Sequence, residues 1–150
     1  MNAPAPVIAL AIGDPNGIGP EIAVKAAVAL EGCRPRIILV GDAFVVRHYA
    51  AQCAKGFGVR EIAVREPSAS RAIDVFPVAA LPRGAFAPGR INPAAGRATV
   101  AYIEAGLGLV CANWARAVIG CPHNEAAVNA RRSARRAPFL RTRCRRRDNP

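Results

Sequence analysis

The chain has 150 residues, enough for one domain with a substantial core, and 52% of them are hydrophobic but only 5% aromatic, so packing must rest on Ala, Val, Ile and Leu. That balance excludes disorder over most of the length. A net charge of +11 suggests a nucleic-acid binder until it is located: residues 1–130 carry 12 Lys and Arg against 9 Asp and Glu, whereas residues 131–150 carry 9 Arg against 1 Asp.

The start, MNAPAP, has no basic n-region, and the apolar run VIALAI at residues 7–12 stops at Gly13-Asp14-Pro15. This predicts neither a signal peptide nor a membrane span, and the expected location is the cytoplasm. VIALAI itself reads as a strand buried on both faces. A helix is predicted from Pro20, whose missing N–H suits the first helical position, to about Glu31, with Gly32 as its stop. Glu21 and Lys25 stand four apart in the order that favours an ion pair.

RIILV at residues 36–40 predicts a second buried strand, closed by Gly41-Asp42 and followed by a helix from Ala43 to about Lys55. Two strand–helix units in succession predict a parallel sheet with crossover helices, the α/β class. His48 reads as a packing residue of that second helix. Short strands are expected at residues 62–64 and 75–78. LPRGAFAPGRINP, at residues 81–93, holds three prolines and two glycines and reads as a long loop, of a length associated with function or interfaces.

From Ala94 to about Trp114 the positions Val100, Ile103, Leu107 and Val110 form the stripe of an amphipathic helix, with Trp114 as a helix-end anchor. Gly106 and Gly108 each cost about 1 kcal/mol there relative to Ala. They mark either a close approach of another backbone or a helix break. AVIGC at residues 117–121 predicts a further buried strand, ending in Pro122-His123-Asn124, with a short helix starting near Glu125. Five cysteines without a C-x-x-C pair fit reduced thiols better than a disulfide framework.

Segments that follow parallel strands gather at the carboxyl edge of the sheet, where open α/β sheets bind ligands. Residues 13–19, Gly41-Asp42 and residues 121–124 would meet there. Gly17 and Gly19 permit close approach of main chain, and the helix beginning at Pro20 offers N–H groups to an anion, although Glu21 in its first turn opposes a phosphate on the dipole. The loop matches neither a Walker A motif nor the G-x-G-x-x-G dinucleotide pattern. Gly13, Asp14, Gly17, Gly19 and His123 are therefore the candidates for cofactor or substrate binding, the alternative for the glycines being a tight structural turn. Cys-Pro-His is no metal spacing, so His123 reads as a polar loop residue. No catalytic residue and no metal ligand is assigned.

AIGDPNGIGPEI resembles the N-terminal signature of the 4-hydroxythreonine-4-phosphate dehydrogenase family of pyridoxal phosphate biosynthesis, G-[DE]-P-x-G-I-G-P-[DE]. Gly96, Tyr102-Ile103-Glu104, the strand to Cys121, Pro122 and Asn129 fit a second family segment, so the resemblance runs from about Val7 to Ala130. It implies a three-layer α/β/α fold of the isocitrate/isopropylmalate dehydrogenase type, here incomplete, in a homodimeric enzyme. The implied reaction is oxidation of a secondary alcohol by NAD or NADP with a divalent metal (Zn, Mg or Co), followed by decarboxylation in the 4-hydroxythreonine-4-phosphate enzyme. The family's Lys after Pro-x-x is Glu125 here, and Cys-Pro-His-Asn-Glu is more like relatives that oxidise cis-dihydrodiol dicarboxylates of aromatic acid breakdown. The family's metal-binding histidines and phosphate-contacting residues lie beyond the matching region, so the metal ligands are expected outside this chain.

Residues 1–130 thus read as the N-terminal part of a dehydrogenase and residues 131–150 as an Arg-rich tail. GC-rich coding DNA read out of frame gives such a composition, and a frameshifted or truncated, inactive and aggregation-prone form is expected. The rival reading is a small α/β protein that binds nucleic acid through the tail, which carries a single aromatic, Phe139, and follows no nucleic-acid-binding module. The expected partners are a small-molecule substrate and a second copy in the full-length enzyme, with neither nucleic acid nor membrane.

Overall fold

The computed structural model describes residues 5–63 and 69–134. The order is β1 (Val7–Ala11), α1 (Gly19–Ala29), β2 (Arg36–Gly41), α2 (Ala43–Cys53), β3 (Gly58–Glu61), β4 (Ala72–Pro77), a 3-10 turn (Arg83–Ala85), α3 (Pro93–Cys111), β5 (Ala117–Gly120) and α4 (Glu125–Ala134). All five strands are parallel, in spatial order β3-β4-β2-β1-β5. Ala11 at the end of β1 stands opposite Val40 of β2 on one side and Gly120 of β5 on the other. The carboxyl ends of β2, β1 and β5 therefore finish level.

Side chains alternate across a strand, so neighbours Leu39 and Val40 point to opposite faces. Leu39 lies in a cluster with Val24 of α1 and Val45 and Val46 of α2, while Val40 joins Ala9 and Leu109 of α3. Helices thus cover both faces, which is why β1 and β2 read as unbroken apolar runs. Helix α4 packs on α3 rather than on the sheet. A side chain at Gly96 would collide with the Ala127 carbonyl, so that helix pair closes only over a glycine. Gly106 faces the Val118 side chain of β5, and α3 runs through it unbroken, so the close approach there is of a side chain and not of the expected backbone, and there is no helix break. Gly108 has open space beside it and no such reason.

Lys25 and Glu21 pair at 2.5 Å, as their spacing predicts. Trp114 anchors the end of α3 against Phe76, ring centroids 6.0 Å apart. His48 is exposed on α2, bonded to Gln52 at 2.8 Å, with its ring edge-on to Tyr49 and Phe86, so it packs only from one side. Cys33, Cys53 and Cys121 are free thiols, but Cys111 is disulfide-bonded, which corrects the expectation of reduced thiols throughout: distance along a sequence sets no limit on distance in space. Helix α4 extends to Ala134, across the change of composition at residue 131. The rest of the expected tail lies outside the described residues, as does part of the strand expected at residues 62–64. No helix among the described residues is long and apolar enough to cross a membrane.

Strand β3 falls at Gly58–Glu61, ahead of the expected position, and β4 begins earlier than expected because it contains a buried charge. Asp74, 4% exposed, receives Arg36 at 2.5 Å and Arg60 at 2.7 Å on its two oxygens. Two guanidinium groups share one carboxylate in this partly buried cluster, and removing that carboxylate would strip both of a charged partner. Asp74→Ala is expected to lower the unfolding free energy by about 3 kcal/mol in urea titration. A loss below about 1 kcal/mol would show that both arginines escape to solvent instead.

Candidate functional site

Four connections converge at the carboxyl edge: residues 12–18 after β1, Asp42 after β2, residues 78–92 after β4 and residues 121–124 after β5. Gly13 has φ of +75°, a conformation costly for any side chain, and a Cβ there would also strike the Pro122 carbonyl. At Gly19 a Cβ would sit 2.7 Å from that same oxygen. The Pro122 carbonyl accepts from the Asp14 N–H at 3.1 Å, and the Thr99 hydroxyl on α3 donates to the Gly13 carbonyl at 3.4 Å, beside a 2.9 Å bond to Ala95. The glycines thus permit the ends of β1 and β5 to touch. The close approach that their density signals is first of all to the chain itself.

Asp14, 4% exposed, accepts the Asn16 N–H at 2.9 Å on its carboxylate, while its carbonyl accepts from Gly17 at 3.0 Å. Gly17 is half-buried and its carbonyl accepts from the Tyr49 hydroxyl at 3.3 Å; burial, and after it the charges of Glu21 and Asp14, raise the Tyr49 pKa. His123 is exposed at the end of β5. The structure therefore brings Gly13, Asp14, Gly17 and Gly19 into one corner, with His123 next to the Pro122 carbonyl that closes it.

Sequence reasoning placed two further residues at this edge without seeing that they organise it. Asp42, 6% exposed, precedes α2 without capping it through its side chain. Its Oδ2 instead accepts from the Tyr102 hydroxyl at 2.6 Å, the Leu81 N–H at 2.9 Å and the Ala80 N–H at 3.3 Å. Tyr102 is fully buried, and burial first, then the bond to Asp42, raises its pKa far above the usual phenol value. Asn16, 3% exposed, reaches across to the loop after β4: its Oδ1 accepts from Ala87 at 2.8 Å, and its Nδ2 donates to the Ala85 and Arg90 carbonyls, both at 3.2 Å. A polar residue inside a glycine-rich turn was the available signal for Asn16. Nothing local announced the partners of Asp42.

The corner's fit to the groups that the resemblance implies can be tested on these bonds. Three of its N–H groups, those of Asp14, Asn16 and Gly17, are already taken within the chain, and the carboxylates of Asp14 and Glu21 flank it. That is not the chemistry of a pyrophosphate cradle. Among the described residues, no three of His, Cys, Asp and Glu converge on a point that could hold a metal ion. The residues present thus fit neither group. A cavity of about 900 Å³ lies at the opposite edge of the sheet, lined in part by Val7, Arg36, Asp74 and Arg116. It borders Ala5 and Ala69, which adjoin residues outside the described set, and it is remote from the converging loops.

A parallel α/β sheet with its loops gathered at this edge has neighbours among dehydrogenases of the isocitrate dehydrogenase-like fold. No family model matches the chain. Over 84% of this chain, the structure of a terephthalate 1,2-cis-dihydrodiol dehydrogenase from Burkholderia xenovorans is 52% identical, with a TM-score of 0.72, covering 37% of that protein. A 4-hydroxythreonine-4-phosphate dehydrogenase structure from Burkholderia phymatum is 26% identical over 86% of this chain and 39% of its own, with a TM-score of 0.73. Among curated sequences, a 1,2-dihydroxy-3,5-cyclohexadiene-1,4-dicarboxylate dehydrogenase of a Comamonas species is 35% identical over 81% of this chain. The resemblance to the 4-hydroxythreonine-4-phosphate dehydrogenase family therefore holds over most of the chain, with dihydrodiol dehydrogenases among the relatives. The chain spans about a third of the length of the curated relative.

Two outcomes follow from the geometry. Tyr102→Phe strips one donor from a buried carboxylate and is expected to cost about 2 kcal/mol in urea titration at pH 7. Because the folded state holds the Tyr102 proton more tightly than the unfolded state, the advantage of the native chain over the variant is complete below the ordinary phenol value and shrinks as pH rises past about 10. A constant difference from pH 7 to 11 would contradict the coupling. Cys121, 7% exposed, has its thiol pushed up to about 11 by burial, so its thiolate is roughly a hundredfold scarcer than in an ordinary thiol. Iodoacetamide at pH 8 is expected to label exposed Cys33 and spare Cys121, and mass mapping showing equal labelling would refute the burial.

Proposed function

We propose that this chain forms the glycine-corner wall of a nicotinamide-dependent dehydrogenase that oxidises a cis-dihydrodiol dicarboxylate. The observation that supports this most is the 52% identity to the terephthalate dihydrodiol dehydrogenase, about twice that to the 4-hydroxythreonine-4-phosphate enzyme. Glu125, exposed at the start of α4, agrees with it, since it stands in the Cys-Pro-His-Asn-Glu segment that resembles the cis-dihydrodiol relatives, in place of the phosphate family's Lys. The second reading is oxidation of 4-hydroxythreonine-4-phosphate itself, favoured by the matching signature at residues 13–21.

The residues that would hold a nicotinamide cofactor and a divalent metal, which would supply a hydride acceptor and a Lewis acid, are not among the described residues. This chain's own part is to hold a rigid edge. Asp42 and Asn16 fix the loop after β4, and the Gly13 and Gly19 contacts with Pro122 set the floor against which a substrate would rest. With neither a metal cluster nor a pyrophosphate cradle among the described residues, the activity belongs to the chain together with the remaining two thirds of its relatives' length. That enzyme is proposed to act as a homodimer in the cytoplasm, on the family resemblance alone.

Residues 1–129, joined to the part of the Burkholderia xenovorans enzyme that follows the matched region, are expected to form NADH from the terephthalate dihydrodiol, followed at 340 nm. The rate with 4-hydroxythreonine-4-phosphate should be less than about a tenth of that, and the 150-residue chain alone should be inactive. Preference of the joined enzyme for the phosphorylated alcohol would establish the second reading. Metal-dependent NAD reduction by the 150-residue chain would overturn its dependence on the remaining two thirds of its relatives' length.

A further inference from the structure

Asn16 stands inside the glycine corner, between Pro15 and Gly17. Its buried side chain and main chain together fix four backbone groups of one loop some 70 residues away. Oδ1 takes the Ala87 N–H at 2.8 Å, Nδ2 gives to the Ala85 and Arg90 carbonyls at 3.2 Å, and the Asn16 carbonyl accepts from Gly89 at 2.7 Å. Asn92 adds a second donor to the Ala85 carbonyl at 2.9 Å, and Arg90 donates its own N–H to Ala87 at 2.9 Å. The backbone of Arg90 is thus held at both its N–H and its carbonyl, directly against the glycine corner.

The side chain of Arg90 differs from those of nearby cations. Arg83 lies over the Phe44 ring at 4.8 Å and Lys25 is paired with Glu21, whereas the exposed Arg90 guanidinium has neither hydrogen bond nor ion pair among the described residues. An arginine whose backbone is already fixed has only its side-chain freedom left to lose on binding, and its planar fork matches a carboxylate with two parallel hydrogen bonds. We propose that Asn16 is a positioning residue that sets Arg90 at the rim of the corner, and that Arg90 takes a carboxylate of the substrate. The inference rests on the dehydrogenase reading above and assigns the group that recognises the anionic end.

The test titrates the 150-residue chain, isotope-labelled for NMR, with terephthalate and, in a separate arm, with inorganic phosphate. Terephthalate is expected to shift the Arg90 side-chain signal and the Ala87 and Gly89 amides, and to bind at least tenfold more tightly than phosphate. Arg90→Gln should weaken it at least tenfold, and Arg90→Lys should restore part of the loss. Asn16→Ala should weaken it similarly while speeding hydrogen exchange at Ala87 and Gly89 at least tenfold. Arg116→Gln, at the opposite edge of the sheet, should do neither. The proposal is overturned by absence of terephthalate binding, by tighter phosphate binding, by an Arg90→Gln chain that binds like the native one, by unchanged exchange in Asn16→Ala, or by an equal loss in Arg116→Gln. In the joined enzyme, Arg90→Gln should raise KM for the dihydrodiol with kcat held. If oxidation persists with KM unchanged, this inference falls and the dehydrogenase reading stands; if the titration behaves as expected and no oxidation occurs, the reverse holds.

Discussion

The carboxylate of Asp42 is the constraint on which the carboxyl edge depends. It is nearly inaccessible to water, so its charge must be satisfied from within the protein, and the donors that satisfy it come from two distant parts of the chain. The Leu81 and Ala80 amides are drawn to the end of β2, which fixes where the loop after β4 departs, and the Tyr102 hydroxyl fixes the depth of α3 against the sheet. Asn16 then holds the far part of the same loop. Two short polar side chains, one after β1 and one after β2, thereby determine the course of a proline-rich segment that has little regular structure of its own.

Strands β1 and β2, all four helices and the parallel arrangement were legible in the sequence, the two strands because burial on both faces leaves unbroken apolar runs that glycine and proline delimit. Strands β3 and β4 were less so, and β5, expected as a buried strand, is an edge strand with Ile119 exposed. Strand β3 carries Arg60 and Glu61 on a half-exposed ribbon, and β4 places Asp74 in its interior, so neither offers a clean hydrophobic run. The charge at Asp74 is tolerable only because Arg36, on the neighbouring strand, and Arg60 converge on it, and such pairing across strands leaves no mark in a local window. The same holds for the site. The glycine corner announced itself by composition, yet the partners of Asp42 and Asn16 lie 38 to 74 residues away along the chain, beyond any motif.

The position of the charge carries a further lesson. The formal +11 is concentrated in residues 131–150, and through residue 130 the balance is close to neutral for a domain of this size. Strong overall basicity is therefore no guide to what the folded part recognises. At the carboxyl edge the significant quantity is local: the carboxylates Asp14, Asp42 and Glu21 are all engaged by donors of the chain, whereas Arg90 is engaged only through its backbone.

Asn16 stands immediately before Gly17, the dipeptide most prone to spontaneous ring closure between a side-chain amide carbon and the following peptide nitrogen, with release of ammonia. In the folded chain both reacting groups are restrained, since the amide is held by three loop partners and the Gly17 nitrogen donates its hydrogen to the Asp14 carbonyl. Opening of the corner would remove both restraints, and the resulting aspartate or isoaspartate could no longer donate to Ala85 and Arg90. The same asparagine that holds the loop would then record, as a permanent chemical change, each excursion in which the loop was released for long enough to react.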